Sequence, residues 1–110
     1  GLDRLILITD AAYGAEPMEG AAETEPDVCF DERGQLAGSK LTMARAIRNM
    51  HRHTGCTVPE LFKMSALNPA KLVGVAEKMG SVAPGKLANL VALDANLGPV
   101  AVFLHGKRID

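Results

Sequence analysis

Asp10 closes the apolar run Leu5-Ile6-Leu7-Ile8-Thr9 and is followed at once by Ala11 and Ala12. A carboxylate that ends a strand and opens into a loop sits on the rim of a sheet. In α/β enzymes the C-terminal rim of the strands carries the chemistry. A lone carboxylate does little chemistry, because proton transfer needs partner groups within hydrogen-bond reach. Taken alone, such an Asp is more often a turn or cap residue bonded to nearby backbone, and no partner group stands beside it in the sequence.

The other candidates read as structural. His51 and His53 form an H-x-H pair, which can hold zinc when it ends a strand. Here the pair falls on the last turn of a helix, where i and i+2 diverge and cationic groups favour the dipole. His105 lies in a C-terminal strand beside a turn, with no acidic or thiol neighbour. Gly38-Ser39 is not a nucleophile elbow, and no phosphate-loop glycine pattern surrounds Lys86. No metal-ligand set is expected in this chain.

These residues need elements to hold them. Leu5 to Thr9 is apolar without alternation, which predicts a strand buried on both faces, as in a parallel sheet. Residues 11 to 27 are rich in Ala, Gly, Glu and Pro and predict a long acidic loop; loops of that length are often active-site lids, but composition alone favours simple disorder. Val28-Cys29-Phe30 and Gln35-Leu36 flank Asp31-Glu32-Arg33-Gly34, a small β-hairpin with Gly34 at a positive φ. Ala37-Gly38-Ser39 then leads into a helix, with Ser39 as N-cap. Met43, Ala46, Ile47 and Met50 form its apolar face, while Arg45, Arg48 and Arg52 lie off it; Gly55 ends it. Thr57-Val58-Pro59-Glu60 is a capping box opening a second helix. Asn68-Pro69 restarts the chain as cap and first residue of a third, stopped by Gly74. After the turn Ala83-Pro84-Gly85-Lys86 come a strand over Leu90 to Leu93, a hairpin loop from Asp94 to Pro99, a strand over Val100 to Leu104, and a stub at Arg108-Ile109.

Composition bounds the rest. With 110 residues and 47% hydrophobic content the chain suits one domain with a modest core, built from aliphatic side chains because only 4% are aromatic. A net charge of −1 gives no electrostatic reason for a nucleic-acid or anionic-membrane partner. No apolar stretch reaches the roughly 20 residues that span a bilayer. Cys29 and Cys56 match no metal spacing and read as reduced thiols of a cytoplasmic protein. The start, Gly1-Leu2-Asp3-Arg4, is no signal peptide and runs almost directly into a buried-type strand without an initiator Met, as in a chain cut from something longer.

Several stretches, in order, carry a family resemblance: Leu7-Ile8-Thr9-Asp10-Ala11; Asp31 through Met43, with Leu36-Ala37-Gly38-Ser39-Lys40-Leu41-Thr42-Met43 at its end; Ala46-Ile47-Arg48-Asn49; Met64-Ser65-Ala66-Leu67-Asn68-Pro69-Ala70; and Gly80 through Val91. The last fits many amidohydrolases. Leu36 to Met43 together with Thr9-Asp10-Ala11 resembles the C-terminal third of the N-acetylglucosamine-6-phosphate deacetylases, members of the amidohydrolase superfamily.

The resemblance implies an α/β fold: the C-terminal part of a metal-dependent (β/α)8 barrel over residues 1–79, and C-terminal strands of a small β-sandwich over 80–110. Leu5 to Thr9 would be the eighth barrel strand. Asp10 would be the catalytic carboxylate, taking a proton from a metal-bound water and delivering one to the departing amine. Ala37, Gly38 and Ser39 match the family's substrate-contacting loop. The implied cofactor is a divalent metal such as zinc, held in the intact enzyme by a Glu and two His of earlier barrel strands that have no counterpart here. This chain alone is therefore expected to bind no metal and turn over no substrate. The implied substrate is an amino-sugar phosphate, N-acetyl-D-glucosamine 6-phosphate, hydrolysed to D-glucosamine 6-phosphate and acetate.

Two other readings stay open. One is a truncated, non-catalytic chain that hides its apolar faces by homo-oligomerisation or by docking with a missing N-terminal partner. The other is a different amidohydrolase activity, dihydroorotase-like or dipeptidase-like, against which the Leu36 to Met43 stretch argues.

Overall fold

The computed structural model describes residues 1–12 and 27–110. Residues 13–26, the body of the expected acidic loop and its lid reading, lie outside the described residues. The chain is a small α/β protein with two antiparallel sheets, and it divides into two compact units: Ile8–Ala46, and Gly1–Leu7 together with Ile47–Asp110.

In the first unit, strands β1 (Val28–Phe30) and β2 (Leu36–Ser39) form the expected hairpin. Asp31 organises its turn: one carboxylate oxygen accepts the N–H groups of Arg33 and Gln35, at 2.9 and 2.8 Å. Gly34 adopts φ 73°, conformational freedom that a residue without a Cβ supplies. Cys29 is fully buried opposite Gly38, and the ladder slips by a bulge just after it.

Helix α1 (Met43–Thr54) begins later than a Ser39 cap would require. Ser39 is the last residue of β2, and it is Thr42 whose hydroxyl accepts the Arg45 N–H, at 3.3 Å. Both residues are good caps by type; Ser39 is unavailable because its hydroxyl is used elsewhere. At the other end Gly55, at φ 71°, donates its N–H to His51 O and stops the helix as expected. Ala46 and Ile47 are buried and Met50 half-buried, so the apolar face is borne out there, while Met43, at the first residue of the helix, is exposed.

In the second unit the expected break before Asn68 is absent. Helix α2 (Val58–Phe62), a π-helical turn (Lys63–Leu67) and helix α3 (Asn68–Leu72) form one unbroken run. The capping box is present: the Glu60 carboxylate accepts both the N–H and the hydroxyl proton of Thr57, each at 2.7 Å. These bonds, the backbone one first, hold the Glu60 carboxyl below its ordinary range. Pro69 would normally kink a helix interior, since it has no N–H and its ring meets the carbonyl four residues back. The wide turn immediately before it accommodates that mismatch.

The same turn leaves the carbonyl of Met64 to accept the Leu7 N–H, at 3.0 Å. Asn68 is a bridge rather than a cap: its side-chain amide donates to the carbonyls of Leu2 and Leu5, at 2.8 and 2.7 Å, while only 4% of the residue is exposed. Lys63 pairs with Asp3 and holds that carboxyl below its usual range. The segment from Gly1 to Leu7, with a 3-10 turn at Leu2–Arg4, is thus stitched to the helical run.

The expected strand over Leu5 to Thr9 is a correction. It pairs with no strand among the described residues, and Leu5 and Ile8 are 47% and 67% exposed. A β-strand exists only by its ladder, and the neighbour available to Leu7 is a helical carbonyl.

The core of this unit is Ile47, Leu61, Met64 and Leu97, with Leu2, Leu7, Met50, Cys56 and Leu93 packed around it. Gly80, at φ 90°, lies so close to the helical run that a Cβ there would stand 2.6 Å from the Ala70 Cβ. Strands β3 (Leu90–Leu93), β4 (Pro99–Leu104) and β5 (Lys107–Arg108) form an antiparallel meander. Asp94 closes the first connection by accepting the N–H groups of Asn96 and Gly98, both at 2.8 Å. His105 sits in the turn after β4 rather than in a strand, at φ 49°.

Candidate active site

The first unit brings Asp10 together with Ala37, Gly38 and Ser39, which are the last three residues of β2 rather than the expected loop. Ser39 N–H donates to the Asp10 carbonyl at 2.8 Å, and the Ala12 N–H donates to the Ser39 carbonyl at 3.0 Å. Ala11 thereby runs as a short parallel bridge beside Ser39, at the end of β2. The Ser39 hydroxyl donates to the carbonyl of Thr9 and accepts the Leu41 N–H, the latter at 3.1 Å.

Asp10 itself is exposed and adopts φ 51°, the left-handed region that Asp tolerates better than most residues. Gly38, at φ 127°, is the place where the two backbones cross: a Cβ there would fall 2.8 Å from the Asp10 carbonyl oxygen and 3.0 Å from the Ala12 Cβ. What approaches Gly38 so closely is the backbone of Asp10. Among the described residues the carboxylate accepts no hydrogen bond, and it is open to solvent, which suits proton exchange with a bound molecule.

The three histidines, His51, His53 and His105, belong to the other unit. His51 Nδ1 meets the Cys56 carbonyl at 2.8 Å, which assigns its proton to Nδ1 in the neutral ring and makes it a helix-end fastening. The His105 backbone N–H donates to the Asn89 side chain at 2.9 Å. Both cysteines are free thiols. Among the described residues no group of three or more His, Cys, Asp or Glu could hold a metal ion. The described residues therefore do not fit the divalent cation that the resemblance implies. No helix among them is long and apolar enough to cross a membrane.

Sequence reasoning missed Asn68. Its pairing with Pro69 reads as a cap, and nothing local signals that its amide reaches carbonyls more than sixty positions away.

The model of the amidohydrolase family matches residues 4–109. The chain belongs to the amidohydrolase family. An N-acetylgalactosamine-6-phosphate deacetylase of Escherichia coli O157:H7 is 37% identical over 112 residues, which cover 96% of this chain and 30% of that protein. An N-acetylglucosamine-6-phosphate deacetylase of Haemophilus influenzae is 32% identical over 114 residues, again 96% of this chain and 30% of the relative. Among solved structures, an N-acetylglucosamine-6-phosphate deacetylase from Pasteurella multocida superposes with a TM-score of 0.81 at 27% identity, over 97% of this chain and 30% of that one. This amidohydrolase chain thus spans about a third of the length of these relatives; it covers 67% of a shorter Escherichia coli K12 relative, also 37% identical.

Proposed function

We propose that this chain is the C-terminal part of a deacetylase that hydrolyses an N-acetylhexosamine 6-phosphate, N-acetyl-D-glucosamine 6-phosphate in the first instance, to the amino sugar phosphate and acetate. The reading rests on the backbone crossing of Asp10 and Gly38-Ser39 in a chain of the amidohydrolase family whose relatives bear deacetylase names. Asp10 carries the proton. Water adds to the amide carbonyl carbon and gives a proton to the Asp10 carboxylate; that proton passes to the amide nitrogen as the carbon–nitrogen bond breaks. The Ala37-Gly38-Ser39 bend faces the sugar through its backbone.

On this reading residues 1–79 are a portion of a (β/α)8 barrel, in which Leu5 to Thr9 acquires the ladder it lacks, and 80–110 are sandwich strands. The missing strands, and the ligands of the divalent cation, belong to polypeptide outside the described residues. The working partner is that polypeptide or a second copy of the chain, in the cytoplasm.

A second reading concerns the sugar. The relative at 37% identity is named for the galactosamine epimer and the one at 32% for the glucosamine epimer. Acetate release from both 6-phosphates, by the chain alone and after mixing with a polypeptide covering the rest of the relatives' length, tests the proposal. Turnover on mixing supports it, and the ratio of kcat/KM values assigns the epimer. Absence of turnover with either sugar, alone and mixed, supports the non-catalytic chain.

A further inference from the structure

Ser39 belongs to the bend assigned to the substrate, yet its side chain is already committed. A serine hydroxyl has one proton and two acceptor positions. Here the proton goes to the Thr9 carbonyl and the Leu41 N–H takes one acceptor position. The backbone of the same residue holds Asp10 through its N–H and Ala12 through its carbonyl. Ser39 therefore grips the chain immediately before Asp10, at Asp10 and two residues after it. We infer that Ser39 is a positioning residue for the Asp10 carboxylate, and that its hydroxyl donates no hydrogen bond to the sugar.

The inference deepens the deacetylase reading and rests on it. Asp10 is held at φ 51°, which an unrestrained L-residue seldom adopts. The direction of its carboxylate follows from that backbone state. The Thr9 carbonyl is the group just N-terminal to it, and the Ser39 hydroxyl donates to that carbonyl. Releasing the hydroxyl frees the carboxylate to rotate away from the position where it can transfer a proton, without removing any group that touches substrate. Small displacements of a reacting group cost turnover steeply.

Kinetics of Ser39→Ala and Ser39→Thr, in the complemented enzyme with N-acetylhexosamine 6-phosphate, test this. We expect Ser39→Ala to lower kcat by about ten- to a hundredfold with KM within about twofold, and Ser39→Thr, which keeps the hydroxyl, to restore most of it. Amide hydrogen exchange on the chain alone gives an independent readout: Ser39→Ala should speed exchange at Ser39 and Ala12, and Ser39→Thr should not. A raised KM with unchanged kcat would make the hydroxyl a substrate ligand and overturn the inference, as would unchanged kinetics together with unchanged exchange. If the unaltered enzyme releases no acetate, the deacetylase reading fails by itself, and the exchange rates still decide whether Ser39 clamps Asp10.

Discussion

Gly38 and Asp10 meet through backbone alone, and a single added carbon at position 38 would stand 2.8 Å from the Asp10 carbonyl oxygen. The contact is with a carbonyl anchored by the Ser39 N–H, so it cannot yield as the tip of a flexible side chain would.

Gly38→Ala should therefore cost more than a positive-φ glycine in open space. We expect a loss of about 2–4 kcal/mol, from backbone strain plus the clash. Gly85, at φ 84° with nothing near its missing Cβ, is the control; Gly85→Ala should cost about 1–2 kcal/mol. Urea unfolding of the two variants checks this. Equal losses would mean that the crossing is not tight.

Asn68 should be the most sensitive polar residue of its unit. Asn68→Ala leaves the carbonyls of Leu2 and Leu5 without their donor, in a part-buried site, at about 2–4 kcal/mol. Asn68→Asp should be worse, since a carboxylate presents only acceptors to two carbonyls in a site with 4% exposure. Denaturant midpoints give the energies, and faster exchange of the Leu7 amide would show that the segment has come away from Met64.

The capping box makes a pH prediction. Glu60 titrates lower in the folded chain than in the unfolded one, because its carboxylate accepts the N–H and hydroxyl of Thr57. The stability it contributes is thus fully present above the ordinary glutamate range and is lost as pH falls through the depressed folded value. Thermal midpoints of the unaltered chain and of Glu60→Gln should differ at neutral pH and converge in acid. A constant gap across that range would show that the carboxylate charge plays no part.

Much of the local structure was legible because it depends on neighbours in sequence. The Thr57–Glu60 box, the Gly55 stop, the Gly34 turn and the Ala46-Ile47 face each follow from spacing within one or two turns. What was not legible depends on partners far along the chain. Leu5 to Thr9 has the composition of a doubly covered strand, but composition cannot supply a ladder. Ser39 and Thr42 are both eligible caps, and the choice is made by Thr9, thirty residues away from Ser39, which engages its hydroxyl. Asn68-Pro69 has the form of a restart, yet a wide turn lets the helix pass through it. At the candidate site, Asp10 and the Ala37 to Ser39 bend could be named from the sequence, and the use of glycine there for a backbone crossing could not.

The most direct test is acetate release by Asp10→Asn in the complemented enzyme, with KM measured alongside. Asparagine keeps the shape and the tolerance for φ 51° but neither accepts nor returns a proton at neutral pH. We expect kcat to fall by about 10²–10⁴-fold with KM little changed. Turnover retained within a few fold would remove Asp10 from the proton transfer and contradict the proposed chemistry.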